Sequence, residues 1–386
     1  MANTKVQHFN NSLVTPINQS ATYFFRNTQE VIEYHEGSKQ YGRYGRYDNQ
    51  NWIECEEKLA RLDNFSDALI FPSGMSAITT TLLALLTKGD HVIVNGKTYR
   101  NVRNFCTSSL PKYGIEVSTF ELNETYLENI LAVYNENTKV IFVEMPSNPH
   151  LYVADISKIR NAIRNDTILI VDSTLITPIN YKPKDFGANL VIHSCGKYIG
   201  GHSDILVGSV SGEGPYIEII RNLRNIFGCI VDAHAAFLLA RSLETLEIRI
   251  QHQNTSGQAL AEFLAKHPKI KTVFYPGLPA HPNYHLAASI FSGFGGVMSF
   301  EIDGNMEDGK KFIDNLKIPY MGTNFGGTIS MVEQCSVFTY YKLAKEERDI
   351  LGISDTLIRF SVGMENIADI IADIHQALNL TFTNTK

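Results

Sequence analysis

The 386-residue sequence has only five cysteines, Cys55, Cys106, Cys195, Cys229 and Cys335, an odd number with no C-x-x-C spacing among them. That scarcity argues against a disulfide framework and against a cysteine-based metal site, so reduced thiols and no metal are expected. No apolar run approaches the roughly 18 residues that cross a bilayer. The opening stretch MANTKVQHFNNSLVTPINQS has no apolar core of signal-peptide length, and a cytoplasmic protein is the expectation. An excess of positive charge is missing too. The 34 Lys and Arg residues against 40 Asp and Glu leave a formal charge of -6, whereas nucleic acid and anionic membranes both call for a basic surface.

What is present is ample apolar material. With 44% hydrophobic and 19% charged residues, a chain of this length can bury a large core and is expected to divide it between two domains. Residues 1–50 are polar and irregular, without a sustained period, and read as an arm. From residue 51 to about 242, ALIF, HVIVN, KVIFVEM, ILIVD and LVIHS are short apolar runs separated by amphipathic stretches. They predict buried strands of a mostly parallel sheet with helices on both faces. DAHAAFLLARSLETLEIRIQHQ, with no proline before KHPKI, reads as one long helix joining the domains. Residues 243–386, with GGVMSFEI, IRFSVG and the closing NIADIIADIHQALNL, predict a smaller α+β domain.

Three places could carry chemistry. In ALIFPSGMSAITTTLLALL a strand runs through Ser73, Gly74 and Met75 into an apolar helix, whose free N–H groups suit a phosphate, although a strand-to-helix turn needs no ligand. Asp172 ends the strand ILIVD, at the sheet edge where ligands bind in open α/β folds, or else caps the next helix. Lys197, in SCGKYIGGHSD, comes after the next strand and has Gly196, Gly200 and Gly201 around it. A loop lysine is ordinarily a solvated surface group, but a partly desolvated one is a usable nucleophile. A phosphate cradle, a carboxylate for a pyridinium nitrogen and a Schiff-base lysine at one edge are the parts that hold pyridoxal phosphate.

The ordered motifs DALIFPSGMSAI, VIFVEMPSNP, IVDST, HSCGKYIGGHSD and GISDTLIRFSVGMEN resemble those of the Cys/Met-metabolism pyridoxal-phosphate enzymes, and they cover nearly the whole chain. The resemblance implies a fold-type I transferase-like architecture, with a large domain over 51–242 and a small domain over 243–386. It places Lys197 at the Schiff-base position as acid–base catalyst and Asp172 at the ring nitrogen. Ser73, Gly74, Met75 and Ser194 fall on the phosphate side, and Tyr99 is the tyrosine stacked on the ring that assists proton transfer. Arg359 would hold the substrate carboxylate and Asn148 would contact both the ring oxygen and the substrate, with Thr323 and Asn324 also at substrate positions. Tyr44 and Arg46 would reach the phosphate of a neighbouring subunit, which implies intersubunit sites in a homotetramer built as a dimer of dimers.

The departures from the family pattern are equally specific. Gly196 stands where a threonine is usual, Tyr99-Arg100-Asn101 replaces Tyr-Gly-Gly, and Asn49-Gln50-Asn51 replaces Asn-Pro-Thr. Thr323 occupies a position where cystathionine enzymes commonly carry a glutamate. Asn101 stands where methionine γ-lyases typically carry a cysteine. The expected function is a carbon–sulfur lyase or γ-synthase of transsulfuration, acting by β- or γ-elimination or γ-replacement on cystathionine, homoserine esters or related amino acids. A catalytically idle cofactor-binding or regulatory homologue is the alternative.

Overall fold

The computed structural model describes residues 12–38 and 42–383, so the arm expected over 1–50 lies partly outside the described residues. Within that arm the segment Thr28–His35 is helical, capped by the Asn27 side chain accepting from Glu30 N–H. One capping residue and two turns leave too short a stretch for the helical period to show in sequence.

Seven strands form the larger sheet: β1 (Asp67–Phe71), β2 (His91–Asn95), β3 (Glu116–Phe120), β4 (Thr138–Glu144), β5 (Ile168–Asp172), β6 (Leu190–Ser194) and β7 (Gly208–Gly212). Their spatial order is β1-β7-β6-β5-β4-β2-β3, parallel except for β7, which runs antiparallel to both neighbours. The continuous apolar runs have a simple cause. On β4, Val140 and Phe142 pack into one helical layer while Ile141 and Val143 pack into the other, so both faces of the strand must be apolar.

Two strands of this larger sheet were not legible in the sequence. β3 is an edge strand with largely uncovered side chains, so selection for an apolar run is weak there. β7, GSVSG, is buried throughout but is short and polar: Ser211 donates to Asp63 Oδ2 at 2.7 Å and Cys195 Sγ donates to Ser209 Oγ at 3.3 Å. Its side chains are satisfied by hydrogen bonds where the neighbouring strands use packing.

A second, five-stranded sheet comprises β8 (Ile270–Phe274), β9 (Val297–Ile302), β10 (Tyr320–Met321), β11 (Met331–Gln334) and β12 (Leu357–Ser361), in the order β10-β11-β12-β9-β8. The helix Ile367–Phe382 packs on it through Ile370, Ile374, Ala377 and Leu378. The architecture is thus α/β, with a large mostly parallel sheet and a smaller sheet beside it. No helix among the described residues is long and apolar enough to cross a membrane.

The expected long connecting helix is two helices, Ala233–Leu243 and Leu246–Lys266. Arg249 of the second donates to the Ser242 carbonyl at the end of the first, and also to the carbonyls of Tyr198 and Ile199, at 2.6 to 2.9 Å. A carbonyl engaged by a guanidinium in this way belongs to a helix end, and the apolar pattern that continues through the break does not record that tertiary contact. The same guanidinium ties the helix junction to the loop after Lys197.

Candidate active site

A cavity of about 830 Å³ opens at the carboxyl ends of β4, β5 and β6, against β12 of the smaller sheet. It is lined by Ser73, Gly74, Met75, Tyr99, Asn148, Asp172, Ser194, Lys197, Thr323, Asn324 and Arg359. Tyr44 and Arg46 are not among its lining residues. They lie in the segment before the helix Gln50–Leu62, where the Arg46 guanidinium stands 5.3 Å from the Tyr44 ring centroid and 5.0 Å from that of Tyr47, and donates to Tyr47 Oη at 3.0 Å.

The phosphate-like end is the start of the helix Gly74–Leu85. Ser73 caps it by accepting from Ser76 N–H at 3.0 Å, and the first N–H groups of a helix have no partner within it. Glycine is required at 74 by contact: a Cβ there would come within 2.8 Å of Ser194 Cβ, so β6 and the helix start press together at the cavity floor. Gly196 has a similar cause. A Cβ at 196 would lie 2.7 Å from the carbonyl oxygen of Ile205, so the close approach of the 205–207 segment excludes the family's usual threonine.

Lys197 leaves a tight turn in which Gly200 N–H donates to Cys195 O at 2.6 Å and Gly201 N–H donates to Lys197 O at 2.7 Å. Gly201 sits at φ +71, a conformation that glycine adopts without cost. The Lys197 ammonium donates to Asn324 Oδ1 at 2.5 Å and lies 4.9 Å from the centroid of Phe325. Burial and the nearby Arg359 charge bring its pKa down to about 8, with Glu333 pulling the other way. Such an amine keeps an appreciable neutral fraction near neutral pH and is mostly neutral above about 8, the form that a nucleophile or proton acceptor needs.

Asp172 is buried; its Oδ1 accepts from Thr174 N–H at 3.1 Å and Thr174 Oγ1 at 2.6 Å. It caps no helix. Burial raises its pKa, and the two Thr174 bonds and the His193 charge oppose that rise. A cationic ring nitrogen within reach is the partner that would keep it ionised.

Two acids of this site escaped the sequence reading. Glu144 lines the cavity at the end of β4, paired in register with Asp172. The pattern of an acid closing an apolar strand is common to VIFVE and ILIVD, so a signal for it existed. Glu333 on β11 is directly opposite Arg359 on β12 and binds its guanidinium at 3.0 Å, with both side chains almost wholly buried. Nothing local in MVEQ marks that pairing. Arg359 also donates to the Thr323 carbonyl at 2.7 Å and to Asn148 Oδ1 at 3.4 Å. Asn148 is brought there by its loop, which is fastened to the smaller sheet: Ser299 Oγ donates to Pro149 O at 2.7 Å, and His150 Nε2 lies 3.0 Å from Gly352 O.

The donor set fits pyridoxal phosphate: free helix N–H groups beside Ser194, a buried carboxylate with no salt bridge among the described residues, and a desolvated lysine share one cavity. Comparison with known proteins agrees. The family model for Cys/Met metabolism PLP-dependent enzymes matches residues 1–379. Cystathionine gamma-synthase 1, chloroplastic, of Arabidopsis thaliana is 41% identical over 369 residues, 95% of this chain and 65% of that protein. The chain therefore spans just under two thirds of that relative's length. L-methionine gamma-lyase of Fusobacterium nucleatum is 34% identical over 95% of this chain and 93% of its own. Among solved structures, cystathionine gamma synthase from Xanthomonas oryzae pv. oryzae, in complex with aminoacrylate and cysteine, superposes with a TM-score of 0.89 at 31% identity, covering 96% of this chain and 94% of that one.

Proposed function

The chain belongs to the Cys/Met metabolism PLP-dependent enzymes, and from that premise we propose that it is a pyridoxal-phosphate-dependent carbon–sulfur lyase or γ-synthase whose favoured reaction is γ-replacement on an activated homoserine. The observation that carries this reading is one cavity holding Lys197, Asp172, the Ser73–Met75 helix start and Arg359 together. Their joint presence also speaks against the idle, regulatory alternative.

Ser73, Gly74, Met75 and Ser194 would hold the phosphate, Asp172 would face the ring nitrogen and Tyr99 the ring. The bound group supplies an electron sink for negative charge that develops on the substrate carbons. Arg359 orients the substrate carboxylate with help from Asn148, and Glu333 keeps the guanidinium aimed. Lys197 Nζ, neutral above a pKa of about 8, accepts the proton from Cα and returns it further along the chain. Asn324 Oδ1 holds that nitrogen in place between transfers.

The distal end of the substrate decides the reaction. Arg100 lines the cavity, and Thr323 offers no charge to a distal ammonium. Both features favour a neutral or anionic distal group, as in an acylated or succinylated homoserine, over cystathionine as the compound cleaved. A substrate panel of cystathionine, homocysteine, methionine, cysteine and O-acyl-homoserines, with product identification, tests the reading. Thr323→Glu should raise cystathionine cleavage relative to O-acyl-homoserine turnover by about tenfold, the difference between a charged and a neutral hydrogen bond. A wild-type preference for cystathionine, or an unchanged ratio in the variant, refutes the pocket argument.

The same reading makes the protein a homotetramer with shared sites. It is supported by the position of Tyr44 and Arg46 away from their own cavity, and by apolar side chains such as Ile226 and Phe227 left uncovered in the single chain. Mixing Arg46→Ala chains with Lys197→Ala chains should restore activity in hybrids. No recovery after demonstrated subunit exchange would count against it.

A further inference from the structure

Glu144 is buried at the cavity wall, and its Oε2 accepts two short hydrogen bonds, from Thr98 Oγ1 and from Tyr99 N–H, both at 2.6 Å. Glu144 itself closes β4, and the loop that carries Asn148 leaves the sheet from it. The acid and its two donors therefore belong to different segments. Thr98 and Tyr99 lie in the turn after β2, Asn148 in the loop after β4, and β2 and β4 are neighbours in the sheet. One carboxyl group thus ties the Tyr99 turn to the strand end from which the Asn148 loop departs. It stands beside Asp172, whose charge, after burial, is the second cause pushing the Glu144 pKa up to about 8. Retaining a buried acid next to a buried acid is costly unless its position is useful.

We propose that Glu144 is a positioning residue whose carboxyl group clamps the Tyr99 turn to the end of β4 and so fixes where the Tyr99 side chain stands over the cavity. The inference rests on the pyridoxal-phosphate reading of that cavity. An acid that served folding alone would leave bound cofactor undisturbed when replaced, whereas a clamp on Tyr99 alters the surroundings of the ring.

The test uses the full chain titrated with pyridoxal 5′-phosphate. Affinity is read from quenching of protein fluorescence, and the orientation of the bound chromophore from its visible circular dichroism. Glu144→Gln keeps an oxygen that can accept from Thr98 and Tyr99, so it should bind within about threefold of wild type and retain the dichroic band. Glu144→Ala leaves buried donors without an acceptor, and its affinity should fall roughly tenfold or more with a changed band. Thr98→Val removes one short bond and should change the band amplitude with a smaller loss of affinity. Wild-type affinity and dichroism in Glu144→Ala overturn the assignment, as do equal losses in the Gln and Ala variants with unfolding curves intact. Should Glu144→Ala not fold, an unchanged band in Thr98→Val overturns it instead. Failure of the wild-type chain to take up pyridoxal phosphate would strike the reading of the cavity itself, and the clamp with it.

Discussion

The wall of the cavity that belongs to the large sheet is made of successive strand ends, Glu144, Asp172 and Ser194, whereas the wall that belongs to the smaller sheet is assembled from Thr323, Asn324 and Arg359 across separate segments, with Glu333 paired to Arg359. On the first wall the backbone register does the placing, since parallel strands in register deliver their last residues to one edge. On the second wall, side-chain bonds do it: the Arg359 guanidinium touches Glu333, Thr323 and Asn148. The departures from the family pattern divide accordingly. Gly196, on the first wall, is explained by packing against Ile205 O. Thr323, Asn324 and Arg100 line the cavity and, on the proposed reading, would change what the substrate meets. The comparison teaches that a wall set by register fixes its residues through the backbone, while a wall set by side chains can be altered by single substitutions.

That contrast can be broken at several points. The largest effect should come from Lys197→Ala, which removes the proposed nucleophile and proton carrier and should lower kcat/KM by at least roughly a thousandfold. In wild type, borohydride reduction and subsequent peptide mapping should find the pyridoxyl group on Lys197, and a label on another lysine refutes the assignment.

Glu333→Gln tests whether the second wall depends on its ion pair. Removing one partner of a buried pair leaves the other charge uncompensated, and a loss of about 3 kcal/mol in unfolding free energy is expected. Denaturant titration measures it, and a variant as stable as wild type would mean that Arg359 is held by Thr323 and Asn148 alone.

Gly196→Thr asks whether the first wall tolerates the family's usual residue. A Cβ 2.7 Å from a carbonyl oxygen must displace the 205–207 segment, at about 1–3 kcal/mol. If the midpoint of unfolding does not move, the segment yields freely and the packing account of Gly196 is wrong.

The smallest effect sharpens the comparison by linking the two walls. Lys197 loses its proton near pH 8, so the rate at which the cofactor-free protein takes up pyridoxal phosphate should rise with pH and level off above about 8. Burial and Arg359 depress that pKa and Glu333 raises it. Glu333→Gln should therefore move the midpoint to lower pH. Stopped-flow absorbance across pH 6–10 would register it, and a midpoint that moves upward contradicts the sign.

The sequence by itself determined the strands β1, β2, β4, β5 and β6, because a sheet covered on both faces demands continuous apolar runs that any local reading detects. It also brought Asp172 and Lys197 to one edge, because consecutive parallel strands share a direction. What only the tertiary structure decided are the features that depend on residues distant in the chain: the helix break held by Arg249 on the Ser242, Tyr198 and Ile199 carbonyls, the polar strand β7 satisfied by Asp63 and Cys195, and the Glu333–Arg359 pair facing across two antiparallel strands. Apolar periodicity is written residue by residue along the chain. A hydrogen bond or ion pair between distant segments leaves no periodic trace, and its partners become identifiable only when the fold brings them within a few ångströms.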